Sequence, residues 1–420
     1  MITCAATLTS RWPILLVGIL AVAATSRAEP TPDELIQQLK AKSPADRRTA
    51  AVALGKLGDH RAVGPLIACL QDKDRNVSRA AASSLAKIGK PALQPLIASL
   101  NDTDTEVRRM VVQALGQLGD KQAVRPLVAC LRDTEGPVRS DVANVLGTLG
   151  DPQAAEPLID CLRDERAAVR GAAAGALGKL GEKGSVEALT VCLKDEEVTV
   201  RRAAADALGK LGDKQAVNGL VECLRDEETA VRSTAADALG KLGDRRAVES
   251  LVPCLKDEEL AVRRAAIQAL GQLGDKRAVP HLVAALPDWS LNSAMIAALK
   301  QLRWEPATER ERLYSSIGGR DKEAVMMDWE RNKRLLIEDA RSSDPKRVEN
   351  AIHTIISMAR HDMVPELVKI LDTREDPSLC EVYLSCGHPV LCNAGRRWAT
   401  KRGYSVVPGG TSSGPTWGAW

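Results

Sequence analysis

Three cysteines and a histidine near the carboxyl end have the side chains needed for a metal site or a disulfide. They are Cys380, Cys386, Cys392 and His388, and the cysteines are spaced six residues apart. Three thiolates and an imidazole are ligands that structural zinc sites use. The spacing contains no pair of cysteines separated by two residues, however, and an exported chain could form one disulfide here or keep its thiols free. All three alternatives stay open.

Six more cysteines occupy a single position of an internal repeat. They are Cys69, Cys130, Cys161, Cys192, Cys223 and Cys254, and the last five are spaced by 31 residues. In two other repeats this position is Ser99 or Ala285, so it requires a small side chain. Equivalent positions in stacked repeats should lie about 10 Å apart, beyond the Cα separation of about 7 Å that a disulfide tolerates. We therefore expect free, buried thiols, and no histidine recurs beside them to complete a column of metal sites.

Aspartate and arginine also recur with the repeat. The aspartates follow the first helix of each unit, and the arginines open the second helix; the columns contain Asp133, Asp164, Asp195, Asp226, Asp257, Arg139, Arg170, Arg201, Arg232 and Arg263. A guanidinium group can bind a carboxylate through two parallel hydrogen bonds. Because each arginine has an acidic partner in register, we favour a structural Asp–Arg ladder that ties successive repeats together. The alternative is a stripe of arginines that binds anions.

These residues must be positioned by a unit of 31 residues that encodes two helices. Residues 120–150 recur from positions 151, 182, 213 and 244, and divergent copies extend the array to nine units over residues 28–303. Val217, Leu220, Val221 and Leu224 have the spacing of one buried helical stripe, and Asp213 is placed to cap that helix. One such hairpin cannot bury its apolar faces alone, so neighbouring units must stack.

The repeated pattern, D-K/R-x-A-V-x-P-L-V-x-C-L-x-D-E-x-x-V-R-x-A-A-A-x-A-L-G-K-L-G, resembles the HEAT-like repeat of the phycobilisome bilin-lyase type. The resemblance covers residues 28–303 and implies an all-α fold, namely an α-solenoid of stacked helical hairpins. It says little about function, because repeats of this type occur in lyases, hydroxylases and plain scaffolds.

Aromatic residues mark where the regular array ends. The chain has no phenylalanine, and no tryptophan or tyrosine lies between Trp12 and Trp289. We predict a solenoid over residues 29–303, a degenerate helical extension over 304–375, and a small irregular cap with cysteine and tryptophan over 376–420. Within the cap, residues 403–407 and 416–420 are candidate strands. The 58 basic and 55 acidic residues nearly cancel, so charge points neither to nucleic acid nor to a membrane surface.

The amino-terminal segment has the features of a signal peptide. Arg11 precedes an apolar run over residues 12–24, and Ser26 and Ala28 place small residues at the −3 and −1 positions of a cleavage site. Residues 1–28 are therefore predicted to direct the chain to the periplasm or out of the cell, with cleavage after Ala28. A buried helix and an uncleaved anchor are the alternatives.

The repeats favour a protein-binding scaffold that uses the concave face of the solenoid. Accessible second-helix positions such as Asn144, Asp206, Asp237 and Gln268 vary between repeats, while the buried positions hardly change. We expect a protein partner, no cofactor and no catalytic residues. The alternative is a bilin-lyase-like enzyme or another enzyme with this repeat. The related di-iron hydroxylases depend on His-Glu pairs, and none of the five histidines here is followed by glutamate.

Overall fold

The computed structural model describes residues 30–374, 377–407 and 416–419. Their contacts divide the chain into two compact units, of which the first ends at Pro91 and the second begins at Ala92. The predicted signal peptide, residues 1–28, lies outside the described residues. The domain boundaries expected after residues 303 and 375 stay predictions.

The first unit contains two helical hairpins. Their helices are α1 (Pro32–Gln38), α2 (Pro44–Leu57), α3 (Val63–Ala68) and α4 (Arg75–Ile88). Leu54, Leu66 and Leu85 are fully buried between them. The apolar stripe of each helix thus packs as the repeat pattern predicts.

The second unit contains seven hairpins of the same kind, counting the first hairpin, of which the first two residues precede the unit's boundary. In chain order the pairs are α5 (Lys90–Ala98) and α6 (Thr105–Leu118), α7 (Val124–Cys130) and α8 (Gly136–Leu149), α9 (Ala155–Cys161) and α10 (Ala167–Leu180), α11 (Val186–Cys192) and α12 (Val198–Leu211), α13 (Val217–Cys223) and α14 (Thr229–Leu242), α15 (Val248–Leu251) and α16 (Leu260–Leu273), and α17 (Val279–Ala285) and α18 (Trp289–Gln301). We call the first member of each pair the first helix and the other the second helix.

The connection between repeats contains a feature that the sequence did not reveal. Asp213 caps a short 3₁₀ turn over Lys214–Ala216, accepting a hydrogen bond from the backbone N–H of Gln215, and α13 begins only after that turn. Gly212 precedes it with φ of 66°, a conformation that glycine adopts without steric cost. The aspartate is therefore a cap, as predicted, but of the turn that leads into the first helix.

Second helices of neighbouring repeats approach one another at backbone distance. A Cβ atom on Gly178 of α10 would lie 2.7 Å from the Cα of Ala207 in α12, and one on Gly209 would lie 2.9 Å from the Cα of Ala238 in α14. The same relation holds for Gly147, Gly240 and Gly271 with the following repeat. A side chain at these positions would push the helices apart, so the buried glycine is a packing residue.

The chain beyond the repeats is also helical. It forms α19 (Glu309–Gly318), α20 (Lys322–Met327), α21 (Trp329–Ala340), α22 (Pro345–Ser357), α23 (Val364–Asp372), α24 (Pro377–Ser385) and α25 (Pro389–Lys401). The helices α20 and α21 are separated at Asp328, whose φ and ψ of −125° and 54° are not helical.

The expectation of an irregular carboxy-terminal cap was wrong, because α24 and α25 pack into a common core. Tyr383 and Trp398 are buried in it, and Trp398 donates a hydrogen bond to the backbone O of Arg374 at 2.9 Å. Two four-residue strands follow these helices: β1 (Tyr404–Val407) pairs antiparallel with β2 (Thr416–Ala419). Among the described residues, no helix is both long enough and apolar enough to cross a membrane.

Two glycines of α10 provide a matched test of the close helix packing. Gly178→Ala should lower the free energy of unfolding by about 1–3 kcal/mol, because the new methyl group overlaps the backbone of α12. Gly175→Ala has open space around it and should raise that free energy by about 0.5–1 kcal/mol through helix propensity. Urea unfolding of both variants measures the difference. Stabilisation of both to the same extent would contradict the packing described here.

Candidate functional site

The predicted arginine and aspartate columns face each other across neighbouring repeats. Arg170 donates from Nε and Nη2 to the two carboxylate oxygens of Asp195, at 2.7 Å each, and from Nη1 to the backbone O of Asp164 at 3.0 Å. Each arginine thereby binds the turn of its own repeat and the carboxylate of the next. The pairs with this bidentate contact are Arg47–Asp72 in the first unit and Arg108–Asp133, Arg139–Asp164, Arg170–Asp195, Arg201–Asp226 and Arg232–Asp257 in the second.

These Arg–Asp pairs, the rungs of the ladder, are well shielded from solvent. The side chains of Arg170 and Asp195 are only 10% and 11% exposed. Burial alone would raise the pKa of Asp195, but hydrogen bonds from Arg170 and from the backbone N–H of Glu197 outweigh it, so this pKa is lowered. Because every side-chain nitrogen of Arg170 already has a protein partner, the geometry favours the structural ladder over a stripe that binds anions.

Arg263 departs from the expected ladder. Its Nη1 donates to the backbone O atoms of Asp257 and Glu258, but its Nε lies 3.9 Å from the Asp288 carboxylate and makes no hydrogen bond. Asp288 instead accepts from Nζ of Lys346 at 2.8 Å. Since Lys346 belongs to α22, the end of the ladder is joined to the helices that follow the repeats.

The recurrent cysteines lie beside the ladder as free thiols. Cys69, Cys161, Cys192, Cys223 and Cys254 are buried, and Cys130 is half-buried. Burial is the main cause that raises the pKa of Cys161, Cys192 and Cys223 to about 11, and the neighbouring ladder aspartates add to it. These thiols therefore stay protonated near neutral pH and have little nucleophilic character.

The cysteines of the carboxy-terminal helices are brought only partly together. Cys386 donates to the backbone O of Tyr383 and Cys392 to the backbone O of Leu384, and burial is the main cause that raises the pKa of Cys386 to about 11. Cys380 instead donates to the backbone O of Gly395. Nε2 of His388 lies 3.4 Å from Nδ1 of His361. All three cysteines are free thiols, and within the described ranges no three Cys, His, Asp or Glu side chains are arranged to hold a metal ion.

The predicted binding positions lie on the accessible part of the second helices. Asn144 of α8 and Gln268 of α16 are exposed, whereas Asp206 of α12 and Asp237 of α14 are half-buried. The Asp206 carboxylate lies 2.6 Å from Nζ of Lys210 in the same helix and 3.8 Å from Nζ of Lys241 in the next repeat. Burial raises the pKa of Asp237. The row formed by these accessible second-helix positions thus presents carboxylates, ammonium groups and carboxamides together.

A buried ionic cluster among the later helices was missed by the sequence reasoning. The Asp339 side chain is fully buried, accepts a hydrogen bond from the Tyr314 hydroxyl at 2.6 Å and pairs with Arg347. Its members come from α19, α21 and α22, which share no repeat. No periodic signal in the sequence could have grouped them.

Comparison with known proteins supports the fold. The family of HEAT repeats matches residues 32–104, 93–174, 155–230 and 217–300. No curated protein matches the sequence significantly. A chain in the structure of Kap95p bound to RanGDP is similar with a TM-score of 0.55, at 12% identity over 92% of this chain and 66% of that one. Importin beta is similar with a TM-score of 0.51, at 13% identity over 88% of this chain and 62% of that one.

The ladder can be tested with two neighbouring acidic residues that face the same arginine. Asp195→Asn should lower the free energy of unfolding by about 3 kcal/mol, because it leaves a buried guanidinium without its counterion. Glu196→Gln, whose side chain is 85% exposed at 3.7 Å from Arg170, should change it by less than about 0.5 kcal/mol. Equal effects in urea unfolding would contradict a buried ladder.

The same pair of variants tests pH dependence. Because the folded-state pKa of Asp195 is lowered, its stabilisation is present above the ordinary aspartate pKa of about 4 and is lost as the pH falls through the folded-state value. The parent should lose stability as the pH falls below about 4, and Asp195→Asn should lose less over the same range. Urea midpoints at several pH values measure this.

The thiols are tested by alkylation. At pH 8, iodoacetamide should leave Cys161, Cys192 and Cys223 unmodified in the folded chain, because their pKa values of about 11 and their burial suppress the thiolate. Unfolding in urea should make all three react fully. Mass spectrometry of peptides reads the outcome, and a disulfide between repeat cysteines would overturn the assigned register.

Proposed function

The chain belongs to the HEAT-repeat family, and from that premise we propose that it is a protein-interaction scaffold. Its binding surface would be the concave face formed by the second helices α8, α10, α12, α14 and α16. The fold of stacked helical hairpins is typical of such scaffolds, and Kap95p, in one of the structures of similar fold, binds RanGDP.

The contrast between buried and accessible positions of the second helices carries the proposal. At the central buried position the residue is alanine in α8, α10, α12 and α14. The next position is asparagine in α8, glycine in α10, aspartate in α12 and α14, and glutamine in α16. In α16 the buried position is Ile267, so packing restricts the first position to aliphatic side chains, whereas the second one is free to suit a partner.

The spacing of neighbouring helices supports the choice of this row. Second helices touch at backbone distance, as at Gly209 and Ala238, whereas Gly219 of a first helix faces the side chains of Leu193 and Thr190. Closer packing along one row bends stacked hairpins toward that row. Extended concave surfaces of this kind are what helical repeat proteins use for binding.

The chemistry of the row suits a polar protein surface. Asp206 and Asp237 lie near Lys210 and Lys241, so both signs of charge are present within two repeats. Such a surface selects a partner by charge pattern rather than by a single strong field. The resemblance to repeats of the phycobilisome bilin-lyase type stays a prediction, and a stoichiometric bilin or metal in the purified chain would favour an enzyme instead.

Photo-crosslinking tests the surface directly. A benzophenone amino acid placed at Asn144 or at Gln268 should give the same discrete cross-linked protein in cells that express the chain, because both positions lie on the proposed surface. The matched control is Val191 of the first helix α11, which is 72% exposed and should give no such product. A product at Val191 alone, or none at Asn144 and Gln268, would contradict the proposal.

We also propose that the chain is exported and that residues 1–28 are removed. Edman sequencing of the chain recovered from its native compartment should begin at Glu29. A chain that retains Met1 in the cytoplasm would contradict export, whereas a membrane-bound chain that retains residues 12–24 would indicate an uncleaved anchor.

A further inference from the structure

A cavity of about 420 Å³ lies just after the last repeat. Its walls come from α18, from the corner between α19 and α20, and from α22. Ile317, Val325 and Met358 supply apolar surface, and serine and threonine hydroxyls line much of the remainder. This volume is within the range of pockets that bind small ligands.

Two asparagines of this cavity have no protein partner for their side chains. Asn292 of α18 is 2% exposed and Asn350 of α22 is 1% exposed. Neither the amide nitrogen nor the carbonyl oxygen of either side chain forms a hydrogen bond within the described part of the chain. Buried polar groups without partners are costly, and an apolar residue of similar size would stabilise the fold better. Two such carboxamides in the wall of one cavity therefore point to a ligand that satisfies them.

The mouth of the cavity adds positive charge. Arg320 and Lys322 are exposed there, and the intervening Asp321 accepts from the backbone N–H of Ala324 as the cap of α20. Arg320 has a φ of 57°, a conformation for which glycine would be the favoured residue. The mouth can thus receive a carboxylate.

The class of ligand follows from these groups. A carboxamide presents a donor and an acceptor side by side, which complements the N–H and C=O of a backbone amide. Nucleobases are usually held by stacking on aromatic rings, and the described side chains that line this cavity include none apart from the imidazole of His353. We propose that the cavity binds a short acidic peptide segment, with its backbone amides at Asn292 and Asn350 and its carboxylate near Arg320 and Lys322.

This site goes beyond the concave surface and can be tested separately from it. The probes are acetyl-Ala-Ala with a free carboxyl terminus, acetyl-Ala-Asp-amide with a side-chain carboxylate, and acetyl-Ala-Ala-amide without charge. Saturation-transfer NMR with the full chain should show saturable binding of both carboxylates and at least threefold weaker binding of the neutral amide. Tighter binding of acetyl-Ala-Ala would show that the site recognises a chain terminus. Tighter binding of acetyl-Ala-Asp-amide would show that it recognises an acidic side chain.

Replacement of an asparagine distinguishes a ligand group from a structural one. Asn350→Leu should weaken binding of the preferred probe at least tenfold, while the thermal midpoint of the chain stays unchanged or rises. A lower midpoint, or failure to fold, would show that Asn350 has a structural role and would overturn the assignment. Unchanged binding would overturn it as well.

Two arginines with positive φ provide a matched test of the positive charge at the mouth of the cavity. Arg320→Gly should remove the backbone strain at this position and raise the thermal midpoint. It should also weaken binding of the two carboxylate probes without changing binding of the neutral probe. Arg303→Gly, at φ of 54° and outside the cavity lining, should raise the midpoint equally and leave binding of all probes unchanged. Equal binding changes in both variants, or no saturable binding of any probe, would overturn the proposal.

Discussion

The backbone contact between neighbouring second helices is the constraint on which the repeats of the second unit depend. Dispersion forces fall steeply with distance, so a core of small aliphatic side chains is dense only when the helices are close. Gly209 against Ala238 provides that closeness, and the same pair of residue types recurs along the row. The second helices of the repeats contain no aromatic side chain ahead of Trp289, which suits this spacing, since a large ring between them would force them apart.

The ladder depends on the same spacing. Arg201 spans to Asp226 of the next repeat with distances of 2.8 and 3.1 Å while it also holds two backbone carbonyls of its own turn. Such a rung forms only when successive hairpins stack at one distance and angle. At Arg263 the pattern ends, Lys346 takes the Asp288 carboxylate, and a different core with buried Tyr383 and Trp398 begins.

Local features of the fold could be predicted, and features that depend on distant residues could not. The apolar stripe from Val217 to Leu224 and the capping Asp213 act within one hairpin, so the sequence identified the repeats and their helices. The packing role of Gly209 became visible only with the neighbouring helix in place. In the tail, α24 has no repeat pattern from which it could be predicted.

The same distinction applies to the candidate sites. Arginine and aspartate columns could be recognised because the repeat shows them many times, and the structure places their side chains in contact. Asn292 lies on α18 of the last repeat and Asn350 on α22 beyond the repeats, and neither belongs to a recurring column. Only the structure shows that they line one cavity. Asp339 and Tyr314 were missed for the same reason.

The row of second helices provides most of the cohesion between the repeats of the second unit. Hydrogen exchange of the full chain tests this most directly, because protection reports the local free energy of opening. Amides in the middle of α10, α12 and α14 should exchange slowest and at a common rate, with those of α9, α11 and α13 clearly faster. Equal or greater protection of the first helices would contradict the claim.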